Sequence, residues 1–298
     1  MMKYLIIFLF SGSLYNCSST SVDTKYQDLE GITNKDFKPA RQIHYKKQDD
    51  ILKGVQSKLT DALNSESIQR IYKYEGTANT KGEIATISQL CYERSFKDAF
   101  VLIKKSGKIY LKNPIFWNTV GTCFLIQGER RKALLFYNKA LSLKANYAPA
   151  LNNLGVMYIY EKDYSRALVA FTRAHKTGTN KKTPRFNLAN LYLSFGLYDK
   201  VISMAAPLLS TKTKDVDLLN IMATAYLMKG DYKRSLSLYN RVDDDYARSV
   251  RVGTNYSLAL YYVGQKGRAK DVYENIGEKS YGGWTSYYRA VGKLVGGK

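Results

Sequence analysis

The chain has 298 residues, 45% of them hydrophobic, and only five prolines, which suits a sizeable core and argues against a disordered or loop-rich class. Its net charge of +21 raises nucleic acid or an anionic surface as partners. Three cysteines exclude a disulfide framework, and neither they nor the two histidines show metal-ligand or catalytic spacing, so no metal and no cofactor is expected.

The chain opens MMKYLIIFLFSGSLYNCSST, with a basic Lys3 and a wholly apolar run from Tyr4 to Phe10. That run is short of the roughly 20 apolar residues a spanning helix needs, but suits the core of a secretory signal. The following Leu14-Tyr15-Asn16-Cys17 resembles the lipobox of bacterial lipoproteins, although Tyr15 and Asn16 depart from the small residues usual before the cysteine. The resemblance implies a signal peptide over 1–16, lipidation at Cys17 and a membrane anchor through that lipid. Ser18 after the cysteine, where Asp is absent, implies the bacterial outer membrane, with the protein facing the periplasm. Residues 17–79 then read as a polar tether. From residue 51 the apolar positions Ile51, Val55, Leu59, Leu63, Ile68 and Ile71 predict a helical pair leading into the rest of the chain.

From residue 80 a period of 34 takes over. With residue 114 as position 1, position 8 holds Gly121, Gly155, Ala189, Ala223 and Ser257, all small, as two touching helices require. Position 11 holds Phe124, Tyr158, Tyr192 and Tyr226, then Leu260. Position 15 is Gly128, Gly196, Gly230 and Gly264, with Lys162 the exception, and glycine there lets the chain turn between two helices. Position 20 is Ala133, Ala167, Val201, Ser235 and Ala269; position 24 is Tyr137, Phe171, Ala205, Tyr239 and Tyr273. By these residues the chain is identified as a member of the tetratricopeptide-repeat family. That resemblance implies an all-α fold: helix-turn-helix units stacked in a right-handed solenoid. The clear units are 114–147, 148–181, 182–215, 216–249 and 250–283. A worn unit over 80–113 keeps Phe96 and Ala99 at positions 17 and 20 but has Ile87 at position 8. Residues 284–298 carry apolar residues at helical spacing and predict a closing helix. Asp243, Asp244 and Asp245 read as a solvated inter-repeat turn.

In this family the first helix of each unit lines a concave groove, and ligand contacts fall chiefly at positions 2, 5, 6, 9, 12 and 13. The basic excess lies mainly outside those first helices, so the groove is close to neutral and the outer face basic. Two readings of that face stand: a solvated surface, or attraction to an anionic one. Nucleic acid is not expected, because the aromatics occupy core positions instead of stacking platforms. Lysine is absent from position 5 throughout, so the carboxylate clamp of chaperone-binding relatives is missing. Asparagine is frequent instead. Its amide donates to one backbone carbonyl and accepts from one N–H of an extended peptide. Asn118, Asn152, Asn187, Asn190, Asn220 and Asn255 are therefore the candidate peptide contacts, beside Phe186, with Tyr160, Leu227 and Tyr262 as apolar pockets. Asparagines that merely occupy a helix surface are the alternative. Cys91 and Cys123, at positions 12 and 10 of adjacent units, read either as half-buried thiols or as a disulfide.

Together these features predict a non-enzymatic scaffold: an envelope lipoprotein binding a partner protein or peptide in its groove. The layout is similar to the pilotin lipoproteins of type IV pilus machines, which implies a place in pilus, secretin or motility assembly. The alternatives are a cytoplasmic adaptor and a non-catalytic subunit of an envelope enzyme complex. With the signal, tether and repeats removed, no stretch is left to house a catalytic domain.

Overall fold

The computed structural model of the chain describes residues 82–179, 181–277 and 281–297, with residues 55, 56, 58, 59, 63 and 69–71 of the lead-in. The predicted signal peptide, Cys17 and most of the tether lie outside the described residues.

The described residues form helices and turns, with no strand among them. The worn unit is α1 (Glu83–Tyr92) and α2 (Phe96–Ser106). The five clear units follow as α3 (Pro114–Gln127) with α4 (Arg130–Leu143), α5 (Ala148–Tyr160) with α6 (Tyr164–Thr177), α7 (Lys182–Ser194) with α8 (Tyr198–Ala205), α9 (Val216–Met228) with α10 (Tyr232–Tyr239), and α12 (Val250–Tyr262) with α13 (Lys266–Glu274). The intervening α11 (Asp244–Ala247) is a single turn. Asp243, Asp244 and Asp245 are exposed there, at the start of this single inter-repeat turn. Each first helix packs on its own second helix, and α14 (Thr285–Val295) lies on α12 and α13 at the end of the stack.

Local chemistry sets these boundaries. The Asn113 carbonyl caps α3, accepting from the Ile115 N–H at 2.8 Å, and Pro114 fits the first turn, where its missing N–H costs nothing. Asp163 and Asp231 cap α6 and α10 in the same way, and Asp215 caps α9. Between the helices of every unit, position 15 takes a left-handed backbone. Gly128, Gly196, Gly230 and Gly264 do so, and so do Arg94 at φ 62° and Lys162 at φ 58°. The Lys162 exception in the sequence is therefore no exception in the fold, and Arg94 puts the worn unit in register with the rest. Packing enforces a conformation that a side chain disfavours by roughly 1 kcal/mol or more.

In the first two clear units, position 8 meets position 24. A Cβ on Gly155 would lie 2.6 Å from the Phe171 ring, and one on Gly121 would lie 2.8 Å from the Tyr137 ring. These rings are fully buried, each worth on the order of 2–3 kcal/mol of apolar burial. Position 8 is alanine both in the unit with Ala205 at position 24 (Ala189) and in the unit with Tyr239 there (Ala223).

Cys91 of α1 and Cys123 of α3 form a disulfide with their Cα atoms 5.1 Å apart, which decides the alternative left open by their spacing. It ties the worn unit to the first clear one, closing a loop of 32 residues worth about 3–4 kcal/mol in the loop-entropy account.

On the outside, position 19 supplies a cation over the position 11 ring. Lys132 lies 5.5 Å from the Phe124 ring centre, Arg166 5.0 Å from Tyr158, Lys200 5.4 Å from Tyr192 and Arg234 5.2 Å from Tyr226. In the last unit position 11 is Leu260, and Arg268 bonds Gln265 and the Tyr256 hydroxyl instead.

Candidate peptide-binding site

From α5 onward the first helices are buried nearly all round: ten of the thirteen residues of α5 are buried. Their asparagines must therefore find partners inside the protein. Which partner each one finds divides the candidates into two groups.

The first group centres on residue 70. Its backbone N–H donates to the Asn187 carbonyl oxygen at 2.7 Å, and its backbone carbonyl accepts from the Asn187 amide at 2.8 Å and from the Asn152 amide at 3.0 Å. Asn187 and Asn152 are joined by a further bond of 2.8 Å. The chain of amides continues from Asn152 to Asn153 at 3.2 Å, and from Asn153 to Asn118 at 3.2 Å and to the Thr122 hydroxyl at 3.4 Å. Asn118 thus stands two steps behind the contacting Asn152 amide.

The side chain of Arg70 is gripped separately. Its guanidinium lies 3.5 Å above the centre of the Phe186 ring. Two of its nitrogens donate to the two Asp215 oxygens at 2.6 Å each, and one also reaches Asp217 at 3.3 Å. Asp217 accepts in turn from Arg251 at 2.6 Å. Burial alone would raise the Asp215 carboxyl, but its hydrogen bonds and attraction to Arg70, with the Leu218 N–H, hold it below the ordinary carboxylate value. Burial likewise works against the Arg70 charge, and the two carboxylates more than offset it.

The lead-in reaches this site from helical residues. Val55, Leu59 and Leu63 are buried in the apolar cluster of the later units, and Gln56 donates to the Tyr198 hydroxyl at 2.7 Å. Residues 69–71 lie outside any helix. The second lead-in helix predicted through Ile71 is thus not formed there, because both backbone groups of residue 70 are bonded to side-chain amides across the groove.

The second group of asparagines is internal. Asn220 accepts from the Tyr239 hydroxyl at 3.1 Å within its own unit. Asn255 donates to the Thr224 hydroxyl at 3.1 Å and accepts from the Tyr287 hydroxyl of α14. Burial raises the hydroxyls of Tyr239 and Tyr287 above the ordinary tyrosine value. Asn190 is buried, and Leu227 is fully buried in the apolar cluster. Tyr262 stacks on Tyr232 at 4.6 Å, and Tyr160 is a third exposed beneath the Arg130 guanidinium at 4.5 Å.

For the asparagines at position 6, the partner follows position 9 of the preceding unit. Asn153 and Asn255, at position 6, each bond the threonine 31 residues earlier, Thr122 and Thr224. The residue 31 before Asn187 is Val156, which has no hydroxyl, so the Asn187 amide turns to the lead-in. The residues of this arrangement that sequence reasoning missed are Arg70, Asp215 and Asp217. A signal existed for one of them: Asp217 is acidic at position 2, a family contact position.

No protein-family model matches the chain. Superkiller protein 3 of Schizosaccharomyces pombe is 22% identical over 195 residues, 65% of this chain and 14% of that protein, so the chain spans a small part of that relative. Among solved structures, PilW, described as a widely conserved type IV pilus biogenesis factor, is 12% identical with a TM-score of 0.55, covering 74% of this chain and all of that one. YrrB, described as a TPR protein with an unusual peptide-binding site, is 17% identical with a TM-score of 0.50, covering 58% of this chain and 89% of that one. These likenesses carry fold, and they meet the register read from the residues: the chain is a tetratricopeptide-repeat solenoid.

Proposed function

We propose that this chain is a non-enzymatic interaction scaffold whose groove binds an extended peptide of a partner protein. One observation carries the reading. Asn152 and Asn187 already hold a stretch of non-helical backbone by both its N–H and its C=O, the recognition that row of amides was expected to supply. The peptide-binding site described for YrrB and the pilus biogenesis role described for PilW support a protein partner, in pilus or secretin assembly.

We further infer an envelope location, anchored by lipid at Cys17 to the outer membrane and facing the periplasm. The Cys91–Cys123 disulfide supports an oxidising compartment, and the apolar run before Cys17 supports export. The basic outer face adds attraction to an anionic surface.

Two measurements test this. The mass of the mature protein from its host should show a start at Cys17 with acyl chains; an unmodified Met1 would remove the envelope reading and leave a cytoplasmic adaptor. Crosslinking in the host, mapped by mass spectrometry, should place a partner peptide against α5 and α7. That crosslink should be lost in an Asn152→Ala/Asn187→Ala chain. Crosslinks that persist there, or fall only on the outer helices, would exclude the groove.

A further inference from the structure

The site around residue 70 reads more than backbone. Asn152 and Asn187 engage only the N–H and C=O of one residue, so they accept any sequence. Phe186, Asp215 and Asp217 accept one side chain. A flat guanidinium is needed both to lie 3.5 Å over the ring and to meet two carboxylate oxygens at once. Lysine offers a point charge and can satisfy only one of those demands at a time. Aspartates at this spot also stand out against a chain of net charge +21.

The pocket does not depend on its occupant to exist. Asp215 caps α9 through the Leu218 N–H, Asp217 is paired with Arg251, and Phe186 is part of the apolar cluster. The Asn187 amide faces this way because Val156 gives it no hydroxyl in the preceding unit. Every group that touches Arg70 is thus placed by the repeats themselves.

Resting on the groove reading above, we propose that Asn152, Asn187, Phe186, Asp215 and Asp217 form a receptor for one arginine of an extended peptide, filled in the free protein by the chain's own Arg70. The partner recognised here is a peptide with arginine in a non-helical segment. Arg70 competes with it as an intramolecular ligand, at an effective concentration on the order of millimolar for a short connection. A partner peptide gains the groove by displacing residues 69–71.

The probe is a fluorescent synthetic peptide copying residues 66–74, with matched versions carrying lysine or citrulline in place of the arginine. It is titrated into the full chain, wild type and Arg70→Ala, and followed by anisotropy. The arginine peptide should bind the Arg70→Ala chain at least about tenfold more tightly than the wild type, because the competing guanidinium is gone and only the backbone contacts of residue 70 are left to displace. It should also bind that chain about tenfold more tightly than the lysine or citrulline peptide. Adding Asp215→Asn should erase the preference while keeping the helix cap, which asparagine serves as well. Should Arg70→Ala fail to fold, hydrogen exchange on the wild-type chain replaces it: excess arginine peptide should speed exchange over residues 66–74, and the citrulline peptide should not. Equal binding of all three peptides would overturn the arginine receptor while leaving a backbone-reading groove. Binding of none to a folded Arg70→Ala chain would overturn both.

Discussion

The pair of units built on α5 and α7 and the pair built on α9 and α12 carry asparagine at the same repeat position and use it oppositely. In the later pair Asn255 reaches back to Thr224 and forward to Tyr287, sealing the end of the stack. In the earlier pair the threonine is replaced by Val156, and Asn187 holds the backbone of residue 70. At position 6 the amide turns to the preceding unit where that unit offers a threonine hydroxyl, and to the lead-in where it offers Val156.

The sharpest way to break that contrast is to delete both amides in turn. Asn255→Ala should lower the unfolding free energy by about 2 kcal/mol, because it removes partners from the buried Thr224 and Tyr287 hydroxyls. Asn187→Ala should cost no more than about 1 kcal/mol, because water replaces it once residues 69–71 lift away. Urea denaturation of both measures this; equal losses would show that the two amides do the same work.

A second test uses acid. The Asp215 carboxyl is held below its ordinary value of 3.8, so its pairing with Arg70 contributes fully above that pH. The contribution is lost as the pH falls through the lower, folded value. The Arg70 guanidinium stays charged throughout. The difference in Tm between wild type and Arg70→Ala should therefore be constant above about pH 4. Below that it should shrink to what the Phe186 stack supplies. A difference independent of pH would mean that Asp215 does not hold the segment.

The smallest effect sharpens the rule itself. Val156→Thr would restore a hydroxyl 31 residues before Asn187 and draw its amide away from residue 70. Hydrogen exchange of the Arg70 N–H should quicken about fivefold, the equivalent of about 1 kcal/mol. Val156→Ala, lacking the hydroxyl, should leave it unchanged.

The fold was legible because its period is carried by packing. Small residues at position 8 face rings at position 24, and both are visible as letters. The site was legible only in half. Asparagine at positions 5 and 6 marked the right helices, but residue type alone does not say where an amide turns; the letter that decides lies one unit earlier, at Val156. Arg70 escaped because the apolar spacing from Ile51 to Ile71 reads as a helix. The pairing that overrides it is with residues more than 100 positions away. The same holds for Cys91 and Cys123, whose bond depends on how two units stack. At Lys162 the sequence misled in the other direction: the turn is fixed by the helices on either side, and the residue conforms.

The rungs of cation over ring along the outer helices bear on how this protein behaves in salt. Lys132, Arg166, Lys200 and Arg234 each lie over an aromatic face, and Arg166 and Arg234 also pair with a capping aspartate. Charges so engaged hold fewer mobile counterions for an anionic surface to release. The logarithmic salt dependence of any such association should then follow the lysines and arginines outside the rungs more than those within them.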